Sequence, residues 1–197
     1  MYALPEDGGV DGGVGIADDG SSFVFRVSDP AAGDGKSFYL ADTRTGAVKK
    51  AFDLGDLPGR VVGVWPSAGD VLIVCAVRAT KGDRLQALVY SPASGKLAAQ
   101  PRGVDLKKWP GAPKTVSMMT YYEGIEFDLS SGKTKRLFDL TEKSSAEEKG
   151  WRDFMRDSRL YRLDNGNYVA ISDVGGSIDI REVKRDGSLG RAMLSRM

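Results

Sequence analysis

The 197-residue chain contains no histidine and a single cysteine. Without an imidazole there is no histidine acid or base, no serine–histidine triad and no histidine metal ligand. One cysteine excludes an intramolecular disulfide and a cysteine-rich zinc site. Long apolar runs are also missing. No stretch approaches the roughly 18 residues that a membrane-spanning helix needs. The start, Met1 to Gly20, is acidic and glycine-rich and lacks the basic-then-apolar pattern of an export signal. Bacterial periplasm and cytoplasm both stay open as compartments. Charge of one sign is absent too: 28 Lys and Arg face 27 Asp and Glu, a net +1. That balance argues against a nucleic-acid or polyanion binder.

What is present is a series of short apolar runs separated by Gly, Asp, Asn and Ser. Val14–Ala17 and Phe23–Val27 flank Asp18-Asp19-Gly20, a strong hairpin signal. Ser37–Asp42, the turn Thr43–Gly46 and Val48–Leu54 complete a four-stranded antiparallel meander. The device then recurs: Val61–Trp65, the turn Pro66–Asp70, Val71–Val77, Leu85–Tyr90, the turn Ser91–Gly95 and Lys96–Ala99. Gly20 to Gly46 and Gly69 to Gly95 are both 26 residues, and Gly46 to Gly95 is 49, which reads as an internal repeat. Cys75 falls in the apolar run Val71–Val77 and reads as a small buried hydrophobe.

A third unit is compressed. Trp109-Pro110 echoes Trp65-Pro66 as the place of a first strand, followed by Thr115–Met119, Tyr122–Asp128 and Lys133–Leu140. Phe52-Asp53-Leu54 is matched by Phe138-Asp139-Leu140, and Asp42 and Asp128 each stand four residues before a glycine. The spacing over 141–159 changes to a helical one. It predicts a helix from Ser145 to Ser158, capped by Ser144 or Ser145, with Trp151, Phe154, Met155 and Ser158 inward. This helix is an insertion between the third and fourth units. The last unit reads as Arg159–Leu163, the turn Asp164–Asn167, Tyr168–Ser172, Ser177–Lys184 with a bulge near Glu182, and Ser188–Leu194. Residues 1–13 read as a loose leading segment.

Four such meanders cannot each bury an apolar face alone, and stacking around an axis does so. The expected fold is therefore all-β: a small or partial propeller of about four blades with one helical insertion, in a single domain over 1–197. A β-sandwich is the alternative. The segments DDGSSFVFRVSD and FYLADTRTGAVKKAFDL resemble a blade of the WD40-like propellers of the Tol translocation protein type. In that pattern the Asp-Gly hairpin falls on Asp19 and Gly20. The strand ending in Asp-x-x-x-Gly falls on Asp42 and Gly46, and again on Asp128 and Gly132. Asn165 and Gly166 repeat the hairpin position.

No catalytic constellation stands out. The carboxylates Asp18, Asp19, Glu123, Glu126, Asp139, Asp164 and Asp173 fall mostly where Asp caps its own turn. Neither a nucleophile-elbow GxSxG nor an SxxK set occurs. Asp7, Asp11, Asp18 and Asp19 do not follow the calcium-loop spacing, and no Walker or GxGxxG pattern occurs, so no metal and no cofactor are expected. Loops on a rigid scaffold suit recognition. The residues expected to contact a partner are Trp109, Tyr121 and Tyr122, as interface aromatics, and Arg152, Arg156 and Arg159, at i, i+4 and i+7 of the helix. The primary functional reading is a non-enzymatic protein-binding domain of the inhibitor or toxin-immunity kind. Its alternatives are a carboxylate-dependent hydrolase or lyase acting on a carbohydrate or ester, and a structural segment of a larger propeller.

Overall fold

A computed structural model describes residues 15–28, 36–67, 69–78, 84–120, 123–139, 158–174 and 177–196. The elements are β1 (Gly15–Ile16), β2 (Ser22–Ser28), β3 (Lys36–Asp42), β4 (Val48–Asp53), β5 (Arg60–Pro66), β6 (Val71–Val77), β7 (Arg84–Ser91) and β8 (Lys96–Ala99). They continue as β9 (Thr115–Met119), β10 (Glu123–Asp128), β11 (Lys133–Asp139), β12 (Arg159–Arg162), β13 (Tyr168–Val174), β14 (Ser177–Val183) and β15 (Leu189–Arg196). Each expected strand with described residues is present except one. Where Trp109-Pro110 suggests a strand, the chain forms a 3-10 turn over Leu106–Lys108, capped by the Asp105 carboxylate on the Lys107 N–H at 3.1 Å. The expected helix lies outside the described residues up to 157. Ser158, its predicted last residue, is buried and leads into β12, with its carbonyl accepting from Met119 N–H at 2.8 Å.

The strands form three antiparallel sheets: β1-β2-β3-β4, β5-β6-β7-β8, and a seven-stranded β11-β10-β9-β12-β13-β14-β15. By contacts the chain groups into two compact units. The first comprises 1–78, 85–114 and 129–132, and the second comprises 79–84, 115–128 and 133–197.

In the first unit the two four-stranded sheets share one apolar layer. Val24, Phe38 and Phe52 from the first sheet meet Val64, Val71, Ile73, Cys75, Leu88 and Tyr90 from the second. Phe38 stacks on Phe52 with ring centroids 4.8 Å apart, and Phe52 meets Tyr90 edge-on at 5.2 Å. Strand alternation puts Phe25, Val27, Tyr39 and Ala41 on the other face of the first sheet, where they form a second buried cluster. β6 is buried along nearly its whole length, as its unbroken apolar run requires. Burial pushes the Cys75 thiol up to about 12, so it stays protonated and unreactive.

The second unit departs from the expected set of separate meanders. Its third and fourth repeats join through β9 and β12, with Arg159 opposite Met118 and Leu160 opposite Ser117. The cause is the missing first strand of the compressed repeat, which leaves the outer edge of β9 unpaired until β12 takes it. The seven strands do not lie flat. β11 and β13 are four strand steps apart, about 19 Å in a flat sheet, yet the rings of Phe138 and Tyr168 are 5.8 Å apart. The sheet therefore folds over at the β9/β12 corner. Its two halves close on Met119, Phe138, Leu160, Tyr168, Ala170 and Val183. Gly124 makes room for this closure, since a Cβ there would stand 2.3 Å from the Phe138 ring.

The repeated turns share one geometry. Gly46, Gly95 and Gly132 take φ of 70°, 65° and 69°, each four residues after Asp42, Ser91 or Asp128. Gly46→Ala meets nothing within 4 Å and is expected to cost about 1 kcal/mol, from its left-handed backbone alone. Gly132→Ala would also drive a Cβ to 2.7 Å from Gly103 N and Pro101 O. Its cost should reach about 2 kcal/mol or more. Urea unfolding of the two variants checks the difference, and equal losses would contradict the close approach.

Candidate functional site

In a meander, alternate turns fall at the same end of the sheet. At one such end of the first unit, the β1–β2, β3–β4, β5–β6 and β7–β8 turns surround an open cleft of about 310 Å³. This volume lies at the low end of ligand sites and suits a side chain or a short segment. Leu40, Ala41, Ala47 and Pro92 supply its apolar lining, Ser22 and Ser67 hydroxyls, and Arg44 and Lys49 its cations.

The walls are held by local hydrogen bonds. The Asp42 carboxylate accepts from the N–H groups of Arg44 at 2.9 Å and Thr45 at 3.0 Å. The Gly46 N–H donates to Asp42 O at 2.9 Å, and Asp42 N–H to Ala47 O at 2.8 Å. Thr43 ties this turn to its neighbour, its N–H donating to Ser21 O at 3.0 Å and its hydroxyl to Gly20 O at 2.7 Å. On the other side, Ser67 and Asp70 bond each other's backbone, and the Ser67 hydroxyl donates to Lys108 O. Hydrogen bonds from Thr45 and Arg44 hold Asp42 below the usual carboxylate range. Those from Ser21 do the same for Asp19, and the nearby Arg44 charge adds to both.

The cations differ in their partners. Lys50 is engaged by Asp53 at 2.7 Å, and the Ser37 hydroxyl donates to the same carboxylate oxygen at 2.6 Å. Lys49, one residue earlier, stands opposite Leu40 in the ladder and has no ion pair among the described residues. Ser22 likewise has no side-chain hydrogen bond among them.

The residues expected to bind a partner are not gathered here. Trp109 closes the 3-10 turn, its N–H donating to Leu106 O at 3.0 Å, and is only 5% exposed. Its indole N–H is buried without a hydrogen-bond partner. It is an interior side chain and offers a partner no surface. Arg159 stands on β12, not on a helix, with its guanidinium 5.4 Å from the centroid of the exposed Tyr161 ring. Tyr121, Tyr122, Arg152 and Arg156 lie outside the described residues. Arg44 and Lys49 carry no role in the sequence reading, because Arg44 lies inside and Lys49 just after a turn that reads as connection only. The signal available was one cation within an Asp-x-x-x-Gly turn and another at the start of the strand that follows it, in one of a repeated set. Among the described residues no group of three or more His, Cys, Asp or Glu is placed to hold a metal ion.

No protein-family model matches the chain, and no curated protein matches it in sequence. Solved structures do match. TolB from Acinetobacter baumannii is 16% identical with a TM-score of 0.48, over 92% of this chain and 42% of that one. The tricorn protease is 17% identical with a TM-score of 0.40, over 96% of this chain and 18% of that one. Porphyromonas gingivalis dipeptidyl peptidase 4 is 12% identical with a TM-score of 0.39, over 93% and 32%. The chain thus spans less than half the length of each of these proteins.

Proposed function

We propose that this chain is a non-enzymatic protein-binding domain, of the inhibitor or immunity kind, that seats a segment of its partner in the turn-lined cleft of the first unit. The observation that carries the reading is the cleft itself. Four hairpin turns, fixed by their own hydrogen bonds, present cations, hydroxyls and small apolar groups on a rigid frame. Preformed polar groups on a fixed scaffold give specificity at low ordering cost. The hydrolase alternative asks for two carboxylates pushed in opposite directions. Asp19 and Asp42, both beside Arg44, are pushed the same way, downward.

The structural-segment reading has one observation in its favour. Tyr161, Ile171 and Leu194 are exposed on β12, β13 and β15, where a further layer would cover them. Affinity capture from native lysate, followed by reconstitution with the identified protein, separates the readings. The expected result is a purified complex that Ala47→Glu, placed in the cleft, weakens at least tenfold. A chain that retrieves no protein, or a complex indifferent to Ala47→Glu, overturns the proposal.

A further inference from the structure

Lys49 is an uncompensated charge in the cleft lining. Its neighbour Lys50 is satisfied by Asp53 at 2.7 Å, while Lys49 is exposed at the start of β4 with no ion pair among the described residues. Arg44 is likewise exposed with no ion pair among the described residues. The Asp42 carboxylate, the lining acid, is turned toward the backbone N–H groups of Arg44 and Thr45 in its own turn. Arg44 and Lys49 against Asp42 leave the cleft lining with a single net positive charge. In the same lining, Ser22 offers a hydroxyl without a partner among the described residues, and Leu40, Ala47 and Pro92 offer apolar contact.

We infer that the cleft recognises a single acidic side chain, Glu or Asp, on an extended segment of the protein partner. Its carboxylate sits on Lys49 and Ser22, and its stem lies against Leu40, Ala47 and Pro92. This rests on the protein-binding reading above and adds the chemistry that the cleft selects. One net positive charge matches one negative charge. A phosphoryl dianion would exceed that net charge and set its second charge near the Asp42 carboxylate of the lining. An uncharged amide would leave the ammonium without a counter-charge, at the cost of the charge-assisted hydrogen bond.

The test is a titration of the full chain, followed by amide resonances, with acetyl-Ala-Glu-Ala-amide as probe. The expected result is saturable shifts at the amides of Ser22, Ala47 and Lys49, with a dissociation constant on the order of 1–10 mM for so small a ligand. Acetyl-Ala-Gln-Ala-amide should bind at least tenfold more weakly. Lys49→Met should weaken the glutamyl peptide at least fivefold, and Lys49→Arg should restore it. Both changes are at an exposed residue, and unchanged amide spectra elsewhere report that the fold is kept. Affinity for the glutamyl peptide should fall as salt rises. Equal binding of the two peptides, absence of shifts at the cleft, or tighter binding of a phosphoserine peptide than of the glutamyl one overturns the assignment. If the captured protein binds Lys49→Met as well as the parent chain, the acidic-side-chain assignment fails while the protein-binding reading stands.

Discussion

Phe38→Ala is expected to lower the stability of the chain by about 3–5 kcal/mol, the range for truncating a buried aromatic. Phe38 has no exposed surface and stacks on Phe52, which in turn meets Tyr90 of the facing sheet. The substitution removes the first member of a three-ring chain that joins the two sheets. The cavity cannot collapse easily, because β3 is held by ladders on both sides, to β2 and to β4. A loss of this size is a large part of the 5–15 kcal/mol available to a typical domain. Urea unfolding monitored by circular dichroism checks it. Phe38→Leu should cost less than half as much, because most of the volume is kept. A loss below about 1 kcal/mol for the alanine variant would mean that the ring does not join the sheets.

The second large effect is asymmetric. Asp179 and Arg181 lie on β14, and the Asp179 Oδ2 accepts from Arg181 Nε at 3.1 Å. The carboxylate side chain is 8% exposed and the guanidinium 27%, and Asp179 Oδ1 is buried with no hydrogen-bond partner. Removing the cation strands a buried charge, whereas removing the carboxylate leaves a cation that still reaches water. Arg181→Met is therefore expected to cost about 2–4 kcal/mol and Asp179→Asn about 1 kcal/mol. The double variant should be no worse than Arg181→Met alone, since the stranded charge is then gone. Equal losses for the two single variants would show that the carboxylate is not buried in solution.

The strands were legible because turn chemistry and alternation agree along the chain. Val71–Val77 has the same bounds in the sequence reading and in the structure, since an unbroken apolar run ends there at a glycine-containing turn on one side and a charged residue on the other. The irregularity near Glu182 shows in the ladder between β14 and β15, which shifts on either side of Arg181. What escaped was lateral. That β9 pairs with β12, setting Met118 opposite Arg159, depends on an edge left open by a strand that never forms. No local pattern records such a vacancy. Trp109 sits among Lys107, Lys108 and Pro110, where polar neighbours suggest a surface position. Its burial follows from the 3-10 turn that aims it inward. A 3.6-residue spacing that runs on through Arg159 groups it with Arg152 and Arg156, although the ladder with Ile171 begins at that residue. The cleft was invisible for a related reason. Each of its turns is plain in the sequence, but their meeting depends on how two sheets stack.

Two residues of β12, Arg159 and Leu160, pair on both sides, with β9 and with β13. They complete the sheet that β9 begins and open the one that β13 continues, so neither half keeps its full hydrogen-bonded edge if they let go. The two halves of the second unit must therefore melt together, as one cooperative step, and the amides of β9 and β13 should exchange with solvent at a common rate set by that shared strand.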